Sequence, residues 1–247
     1  MTRPDFSSPD EQTSGVETRS ALLSVKSASF AKRSYDVLFA SAGLVLLSPL
    51  MLLLAALVKA GDGGPVFYCQ WRVGLHGRRF RICKFRTMTP LAEGAGPQVT
   101  SDGDPRVTRI GRFLRKTKFD ELPQLWNVLK GEMSLVGPRP EVPKYVAHYT
   151  VSQRSILNLK PGITARATLC FRDEERLLSQ ADDVEEFYVK HCLPLKLQLD
   201  LEYAARANLL SDTWIIFRTI LPWWRRAANR SAGGVRMEQD LGAWPPA

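Results

Sequence analysis

Two adjacent carboxylates, Asp120 and Glu121, are the residues of this chain whose types and spacing most directly predict chemistry. If Asp120 is the N-cap of a helix, Pro123 falls at the third helical position, where its missing N–H costs little. A helix N-terminus attracts phosphate, and two carboxylates there can divide labour between a nucleophile and a metal ligand. Mg²⁺ suits such a pair because it binds one or two carboxylates together with substrate phosphates. The alternative is that both acids only cap the helix.

Basic residues surround this dyad in the sequence and predict a substrate that carries phosphate. Those that closely precede it are Arg106, Arg109, Arg112, Arg115, Lys116 and Lys118. After it, the loop 131–141 holds Arg139 between two prolines, and a rigid loop can present a guanidinium group to phosphate in bidentate fashion. The same loop is also compatible with a structural turn that carries a surface arginine.

The composition of the 247-residue chain narrows its partners. The formal net charge is +9, but the basic residues are spread through short motifs with Gly and Pro, which favours phosphate-binding loops over a nucleic-acid arm. We therefore predict no nucleic-acid partner. The cysteines show neither a short pairing nor metal-ligand spacing, so reduced and mostly buried thiols of a cytosolic compartment are expected. They are Cys69, Cys83, Cys170 and Cys192.

An uncharged run over residues 37–58 precedes the dyad and is long enough to cross a bilayer. As a helix it would extend about 33 Å, against a hydrocarbon core of about 30 Å. Basic residues flank both of its ends, whereas a spanning helix leaves one end poor in Lys and Arg. Ser48-Pro49 interrupts the middle, where proline favours a sharp bend. Three interpretations stay open: a kinked spanning helix, a re-entrant hairpin, and a buried helix of a soluble domain.

The elements that must position the dyad divide the chain into four parts. We predict a disordered tail (1–28), a membrane element (29–59), a catalytic domain (60–228) and a loosely ordered tail (229–247). The expected fold class is α+β, mainly helical. A β-hairpin is predicted from residues 66–73 and 79–86. Helices or helical patterns are predicted over 109–116, 120–130, 142–157, 173–189, 194–209 and 212–228.

Several motifs in a fixed order resemble the bacterial sugar transferase family, the monotopic phosphoglycosyl transferases that start polysaccharide and glycoconjugate assembly. Besides the dyad and Gly137-Pro138-Arg139-Pro140, they are Lys32-Arg33-Ser34-Tyr35-Asp36, Lys84-Phe85-Arg86-Thr87-Met88 and the segment from Asp104 to Arg112. The resemblance covers about residues 32–221. It implies an enzyme of the bacterial inner membrane whose compact catalytic domain faces the cytoplasm.

The resemblance also implies roles for individual residues. Asp120 is expected to attack the β-phosphate of a UDP-sugar, which forms a phosphosugar-enzyme intermediate and releases UMP. A polyprenyl phosphate, typically undecaprenyl phosphate, then accepts the phosphosugar, while Glu121 with Asp120 binds Mg²⁺. The candidates for phosphate contacts are Lys84, Arg106, Arg112, Arg115 and Arg139. Ser48-Pro49 matches the helix break of the family, which favours the re-entrant hairpin and makes membrane lipids a partner.

Other features leave the substrate and the assembly open. The segment that follows Pro161-Gly162-Ile163-Thr164 departs from the pattern of many members, so the sugar is not determined. Residues 214–226 combine indole, aliphatic and basic groups and predict an interfacial amphipathic helix. The oligomeric state stays open, with a homodimer as one option. The competing function is a non-catalytic membrane scaffold or regulator of a polysaccharide assembly complex, against which the intact dyad argues.

Overall fold

The computed structural model describes residues 30–89 and 99–220, and the predictions for the two tails fall outside these ranges. The helices are α1 (Phe30–Asp62), α2 (Arg109–Thr117), α3 (Gln124–Lys130), α4 (Pro143–Val146), α5 (Arg166–Cys170), α6 (Glu174–Leu178), α7 (Val184–Phe187), α8 (Leu193–Ala204) and α9 (Leu209–Ile220). The strands are β1 (Phe67–Val73), β2 (Arg79–Phe85), β3 (Ser134–Val136) and β4 (Gly162–Thr164). Short 3₁₀ turns span Leu75–Gly77, Phe119–Glu121 and Gln153–Asn158, and a π-helical turn spans Tyr188–Cys192. A mainly helical α+β chain is therefore confirmed.

The predicted β-hairpin is present, with β1 and β2 antiparallel and Tyr68 opposite Lys84. Because side chains alternate along a strand, Lys84 shares its face with Phe80 and Ile82, which are buried in the core. Arg72 of β1 lies opposite Phe80 and so points to the same face. The hairpin thus carries two cations into the interior of the domain.

Cys69 and Cys83 lie opposite each other on the other face of the hairpin and form a disulfide, with Cα atoms 4.3 Å apart. The prediction that all four cysteines are reduced thiols is wrong for this pair. Their separation of 14 residues hid the contact, which only the strand register creates. Cys192 is buried, as predicted.

A second pair of strands, β3 and β4, is parallel. Strand β3 was not predicted from the sequence. Ser134 pairs with Gly162 and Val136 with Thr164. The strands approach so closely after β3 that a Cβ atom on Gly137 would lie 2.3 Å from the carbonyl oxygen of Lys160. Only glycine allows that approach, so this contact fixes the start of the loop that carries Arg139.

Helix α1 packs against the rest of the domain through both of its halves. In the first half, Asp36 accepts hydrogen bonds from the Ser134 hydroxyl and the Leu135 N–H, both at 3.1 Å. In the second half, Leu54 and Val58 are buried in a cluster with Phe85 and Leu114. Apolar side chains between these anchors are exposed, including Val45, Leu46, Leu52 and Leu53. Both ends of this apolar helix therefore contact the same domain.

The helical patterns predicted over 142–157 and 173–189 form several shorter elements. The pattern over 142–157 yields only α4 and a separate 3₁₀ turn, and the acidic segment over 173–189 is divided between α6, α7 and the π-helical turn. The last two predicted helices correspond to α8 and α9, and the parts of the predictions over 212–228 and 214–226 that follow residue 220 lie outside the described residues. In α9, Ile215 is fully buried and Phe217 is 59 % exposed, so only part of this helix offers an apolar outer face.

Candidate active site

The dyad lies in a 3₁₀ turn between two helices, and the prediction that Asp120 is a helix N-cap is wrong. Lys118 ends α2 in the left-handed conformation (φ 60°), and the turn Phe119–Glu121 follows it directly. Helix α3 begins only at Gln124, and Gly131 (φ 83°) ends it as predicted. The turn buries both carboxylates, which are 5 % and 7 % exposed. Simple solvent-exposed capping does not account for two acids at such depth.

Glu121 is held by the loop that follows β3. The guanidinium Nη2 of Arg139 donates a hydrogen bond to Glu121 Oε1 at 2.8 Å. Burial would raise the pKa of Glu121, but the charges of Arg139, Lys118 and Lys84 outweigh it and lower the pKa below its ordinary value. Glu121 is therefore an anion with a fixed partner. In turn, the Glu121 carboxylate raises the pKa of Arg139.

Asp120 is buried like its neighbour but differs from it in hydrogen bonding and in the direction of its pKa shift. Its Oδ1 atom is buried and has no hydrogen-bond partner among the described residues. Burial, together with the negative charge of Glu121, raises the pKa of Asp120 above its ordinary value, while Lys84, Lys118 and Arg115 oppose the rise. A buried carboxylate oxygen without a donor is poorly stabilised as an anion, which makes it a strong nucleophile or an open metal ligand.

Three predicted cations converge on this turn. Lys84 comes from β2, Arg115 from the last turn of α2, and Arg139 from the loop after β3. Burial lowers the pKa of Lys84 to about 8, with Asp120 acting in the opposite direction. Arg115 is oriented by Thr87, whose hydroxyl accepts from Nε at 3.0 Å, and by Glu175, which accepts from Nη1 at 3.0 Å. The surplus of positive charge suits an anionic substrate.

The other two predicted phosphate contacts are placed differently. Arg106 donates to both carboxylate oxygens of Asp104, two residues before it. Arg112 is exposed on α2, and its side chain makes no hydrogen bond or ion pair with the described residues. Neither residue is joined to the dyad by a hydrogen bond, so their contact with substrate phosphate stays a prediction.

Sequence reasoning missed two residues, Arg72 and Asp200, that lie far from the dyad in the sequence but contact the loop that carries Arg139. Arg72 contacts Glu141 at 3.7 Å and donates to the Pro140 carbonyl at 3.2 Å, so it braces the Arg139 loop. Asp200 of α8 is buried, which raises its pKa to about 7, while backbone N–H groups of Ala167 and Arg139 act against that rise. The alternation of side chains along β1 was a signal that Arg72 faces the interior. No sequence signal indicated Asp200.

The donor set fits a magnesium ion. Asp120 Oδ1 lacks a hydrogen-bond donor among the described residues, and only Oε1 of Glu121 is used by Arg139. One or two carboxylates with room for substrate phosphates is the arrangement that Mg²⁺ prefers, in contrast to a closed protein cage. No group of three or more His, Cys, Asp or Glu side chains converges within the described ranges.

The predicted break at Ser48-Pro49 lies inside α1, which continues through it. The Ser48 hydroxyl donates to the Val45 carbonyl at 2.8 Å, so it binds backbone one turn earlier. By length and composition, α1 is the single helix of the described residues that is suited to cross a membrane. These observations fit both a spanning and a re-entrant segment.

Known proteins resemble this chain over most of its length. The model of the bacterial sugar transferase family matches residues 27–226. A UDP-N-acetylgalactosamine-undecaprenyl-phosphate N-acetylgalactosaminephosphotransferase of Aeromonas hydrophila is 41% identical over 196 residues, which cover 77% of this chain and 43% of the relative. The exopolysaccharide production protein ExoY of Rhizobium meliloti is 38% identical over 205 residues, covering 77% and 84%. An undecaprenyl-phosphate glucose phosphotransferase of Komagataeibacter xylinus is 40% identical over 204 residues, covering 76% and 35%.

Proposed function

The chain belongs to the bacterial sugar transferase family, and we propose that it transfers a sugar-1-phosphate from a UDP-sugar to a polyprenyl phosphate with release of UMP. Family membership confirms the resemblance carried by the sequence motifs, and with it the prediction of a transferase enzyme. The names of two relatives specify undecaprenyl phosphate together with a sugar phosphotransferase activity, which supports undecaprenyl phosphate as the acceptor here. The product would start the assembly of an exopolysaccharide or glycoconjugate.

The unequal environments of the two dyad carboxylates carry the proposal. Asp120 has a buried oxygen without a donor, whereas Glu121 is paired with Arg139. When the environments of two adjacent titratable groups shift their pKa values in opposite directions, the two groups can take separate roles. We assign Asp120 as the nucleophile and Glu121 as a permanent anion.

In the first step, a carboxylate oxygen of Asp120 attacks the β-phosphorus of the UDP-sugar. A bond forms between that oxygen and phosphorus, and the bond from phosphorus to the bridging oxygen breaks, so UMP leaves with the electron pair. Lys84, Arg115 and Arg139 surround the turn from three elements and would stabilise charge on the phosphoryl oxygens. Because the turn is fixed by helices on both sides, the nucleophile loses little freedom on reaction.

In the second step, a phosphate oxygen of the polyprenyl phosphate attacks the same phosphorus and restores the Asp120 carboxylate. Mg²⁺ held by Glu121 and Asp120 would neutralise the phosphate oxygens of the substrates when bound. The cations on β2, α2 and the Arg139 loop orient the phosphosugar between the two steps.

We further propose that α1 is a re-entrant membrane hairpin of the inner membrane and that the catalytic domain lies on the cytoplasmic side. A spanning helix places its two ends on opposite sides of the bilayer. Here Arg33 and Asp36 near one end contact the same domain as Val58 and Asp62 near the other. A domain on one side of a membrane can pack in this way only if both ends of α1 return to that side, which supports the hairpin.

Substitution of the nucleophile tests the reaction. Asp120→Asn retains the volume of the side chain but removes the attacking carboxylate, so turnover and labelling of the protein by a radiolabelled UDP-sugar are both expected to disappear. The measurement is UMP release with both substrates, followed by detection of label on denatured protein. Asp182→Asn is the matched control because Asp182 is exposed and forms no ion pair with described residues. Turnover of Asp120→Asn near the wild-type rate would remove Asp120 as the nucleophile.

A further inference from the structure

The disulfide between Cys69 and Cys83 is a reactive group that no step of the proposed reaction uses. The two residues face each other in the middle of the hairpin, on the side that is turned away from the core. Both cysteines are partly exposed. Their neighbours on this side, Phe67 and Trp71, are 51 % and 56 % exposed. The bond therefore lies on the outer surface of the domain, in contrast to the buried thiol of Cys192.

The backbone does not join the two strands directly at this pair. The Cα separation of 4.3 Å is close to the roughly 4.5 Å of a non-hydrogen-bonded pair, whose N–H and C=O groups point away from the partner strand. The Cys83 N–H accordingly donates to Oδ1 of Asn127, at 3.3 Å. The disulfide is thus the direct link between β1 and β2 at this position, so opening the bond loosens the two strands there.

The next pair along the hairpin, Tyr68 and Lys84, points to the opposite, inner face. Nζ of Lys84 lies 5.9 Å from the centre of the Tyr68 ring, so both strands contribute to the position of this ammonium group. Lys84 is one of the three cations that converge on the dyad. Cys69 directly follows Tyr68, and Cys83 directly precedes Lys84. The disulfide therefore holds the spacing of the strands beside the pair that positions Lys84.

Asn127 extends this link to α3, the helix that follows the dyad. Its side chain is buried, and Nδ2 donates to the Arg81 carbonyl at 2.8 Å and to Glu132 Oε2 at 2.7 Å. One side chain of α3 thus binds the backbone of β2 at both Arg81 and Cys83. A shift of β2 at Cys83 would therefore reach the dyad by two routes, through Lys84 and through α3.

The proposed cytoplasmic location gives the disulfide a role. Thiols are kept reduced in the cytoplasm, and the disulfides that form there are usually transient and redox-sensing. A crosslink that only supports the fold is therefore not expected at this position. The other two cysteines, Cys170 and Cys192, are free thiols.

We propose that Cys69 and Cys83 are a site of reversible thiol–disulfide exchange with a small-molecule thiol, and that the oxidised form binds the diphosphate of the nucleotide more tightly. The inference rests on the proposed function for the cytoplasmic location and the nucleotide. Reduction leaves Lys84 less firmly held, so the site attracts phosphate less strongly.

The exchange takes place in two steps. A thiolate of the small molecule attacks one cysteine sulfur, the S–S bond breaks, and the other cysteine leaves as a thiolate that takes up a proton. A second small-molecule thiol then attacks the mixed disulfide, so the small-molecule disulfide leaves and the first cysteine also becomes a thiol. Two electrons pass from two small-molecule thiols to the protein, and the reverse sequence restores the bond.

The test equilibrates the full chain in detergent with mixtures of reduced and oxidised glutathione. Alkylation of the denatured protein should count two free thiols in the oxidised form and four in the reduced form. Titration calorimetry with UDP, which carries the diphosphate and is not turned over, is performed on both forms. The Kd of UDP should rise about threefold or more on reduction, at unchanged stoichiometry, and return on reoxidation. A loss of folded protein would instead lower the stoichiometry.

Two variants control the measurement. Cys69→Ser together with Cys83→Ser should show the Kd of the reduced form under either condition, whereas Cys170→Ser should respond as the wild type does. A bond that resists millimolar glutathione would overturn the exchange site, and an equal Kd in both forms would overturn its effect on the nucleotide. The thiol count does not depend on UMP release, so a failure of the proposed reaction is distinguishable from a failure of this site.

Discussion

At the scale of single residues, the site depends on cations that are buried next to carboxylates. Lys84 is the clearest case, because burial lowers its pKa to about 8 although Asp120 acts in the opposite direction. The ammonium group is therefore present below about pH 8 and is lost above it. A site that loses this charge attracts the phosphates of its substrate less strongly.

We expect kcat/KM for the UDP-sugar to fall above about pH 8 in the wild-type enzyme. In Lys84→Arg, this alkaline decline should move to higher pH, because a guanidinium stays protonated throughout the range. Lys130→Arg is the control, since Lys130 is exposed and lies over the ring of Trp126, away from the dyad. An identical alkaline decline in wild type and Lys84→Arg would show that another group titrates there.

The residues of the site were predictable to different degrees. The dyad and Arg139 were predicted from their motifs, but the hydrogen bond between Arg139 and Glu121 joins residues 18 positions apart and had no local signal. Lys84 was predicted as a phosphate contact, whereas its inward direction follows from strand alternation beside buried Ile82. Asp200 of α8 accepts a hydrogen bond from the Arg139 backbone N–H, a contact that only tertiary packing creates.

At the scale of elements, regular patterns were predicted well and short irregular ones were not. The β-hairpin, α2 and the end of α3 at Gly131 agree with the sequence because period-two alternation and a left-handed glycine are local signals. The strand β3 has three residues, too few to show a period, and its partner β4 is distant in the chain. The 3₁₀ turn of the dyad was missed because Lys118, a residue that rarely adopts positive φ, ends α2 there.

Asp36 is the contact that ties α1 to β3, and its loss should weaken this joint. It is 2 % exposed and accepts from the Ser134 hydroxyl and the Leu135 N–H. Asp36→Ala would leave a buried N–H without an acceptor, so the free energy of unfolding should fall by about 1–3 kcal/mol. Asp36→Asn retains one acceptor oxygen and should cost less.

Thermal unfolding of the purified variants in one detergent measures whether Asp36→Ala is less stable than Asp36→Asn. Ser34→Ala serves as the control, since Ser34 lies on the exposed side of the same helix turn. A stability of Asp36→Ala equal to that of Ser34→Ala would mean that the joint between α1 and β3 contributes little.

At the scale of the whole molecule, the two ends of α1 determine where the site works. Arg33 donates to the Val128 and Leu129 carbonyls at the end of α3, the helix that follows the dyad. Val58 packs with Leu114 of α2, the helix that precedes it. Both helices that frame the dyad are therefore attached to α1, so the depth of α1 in the membrane would set the height of Asp120 above the lipid phosphates.

Cysteine accessibility tests this arrangement. Ala31 and Ala60 are exposed at opposite ends of α1. In a background with the native cysteines changed to serine, Ala31→Cys and Ala60→Cys should both resist a membrane-impermeant maleimide added from the periplasm and react once the inner membrane is opened. A re-entrant helix predicts this equality, whereas a spanning helix predicts periplasmic labelling at one end only.

Ser48-Pro49 supplies the matched variant. Changing Ser48 to Ala together with Pro49 to Leu removes the residues that favour a bend and leaves an apolar helix of spanning length. Ala31→Cys in this background should become accessible from the periplasm, and UMP release should fall because α1 can then no longer hold both α2 and α3. Periplasmic labelling of Ala31→Cys in the chain with intact Ser48 and Pro49 would instead exclude the hairpin.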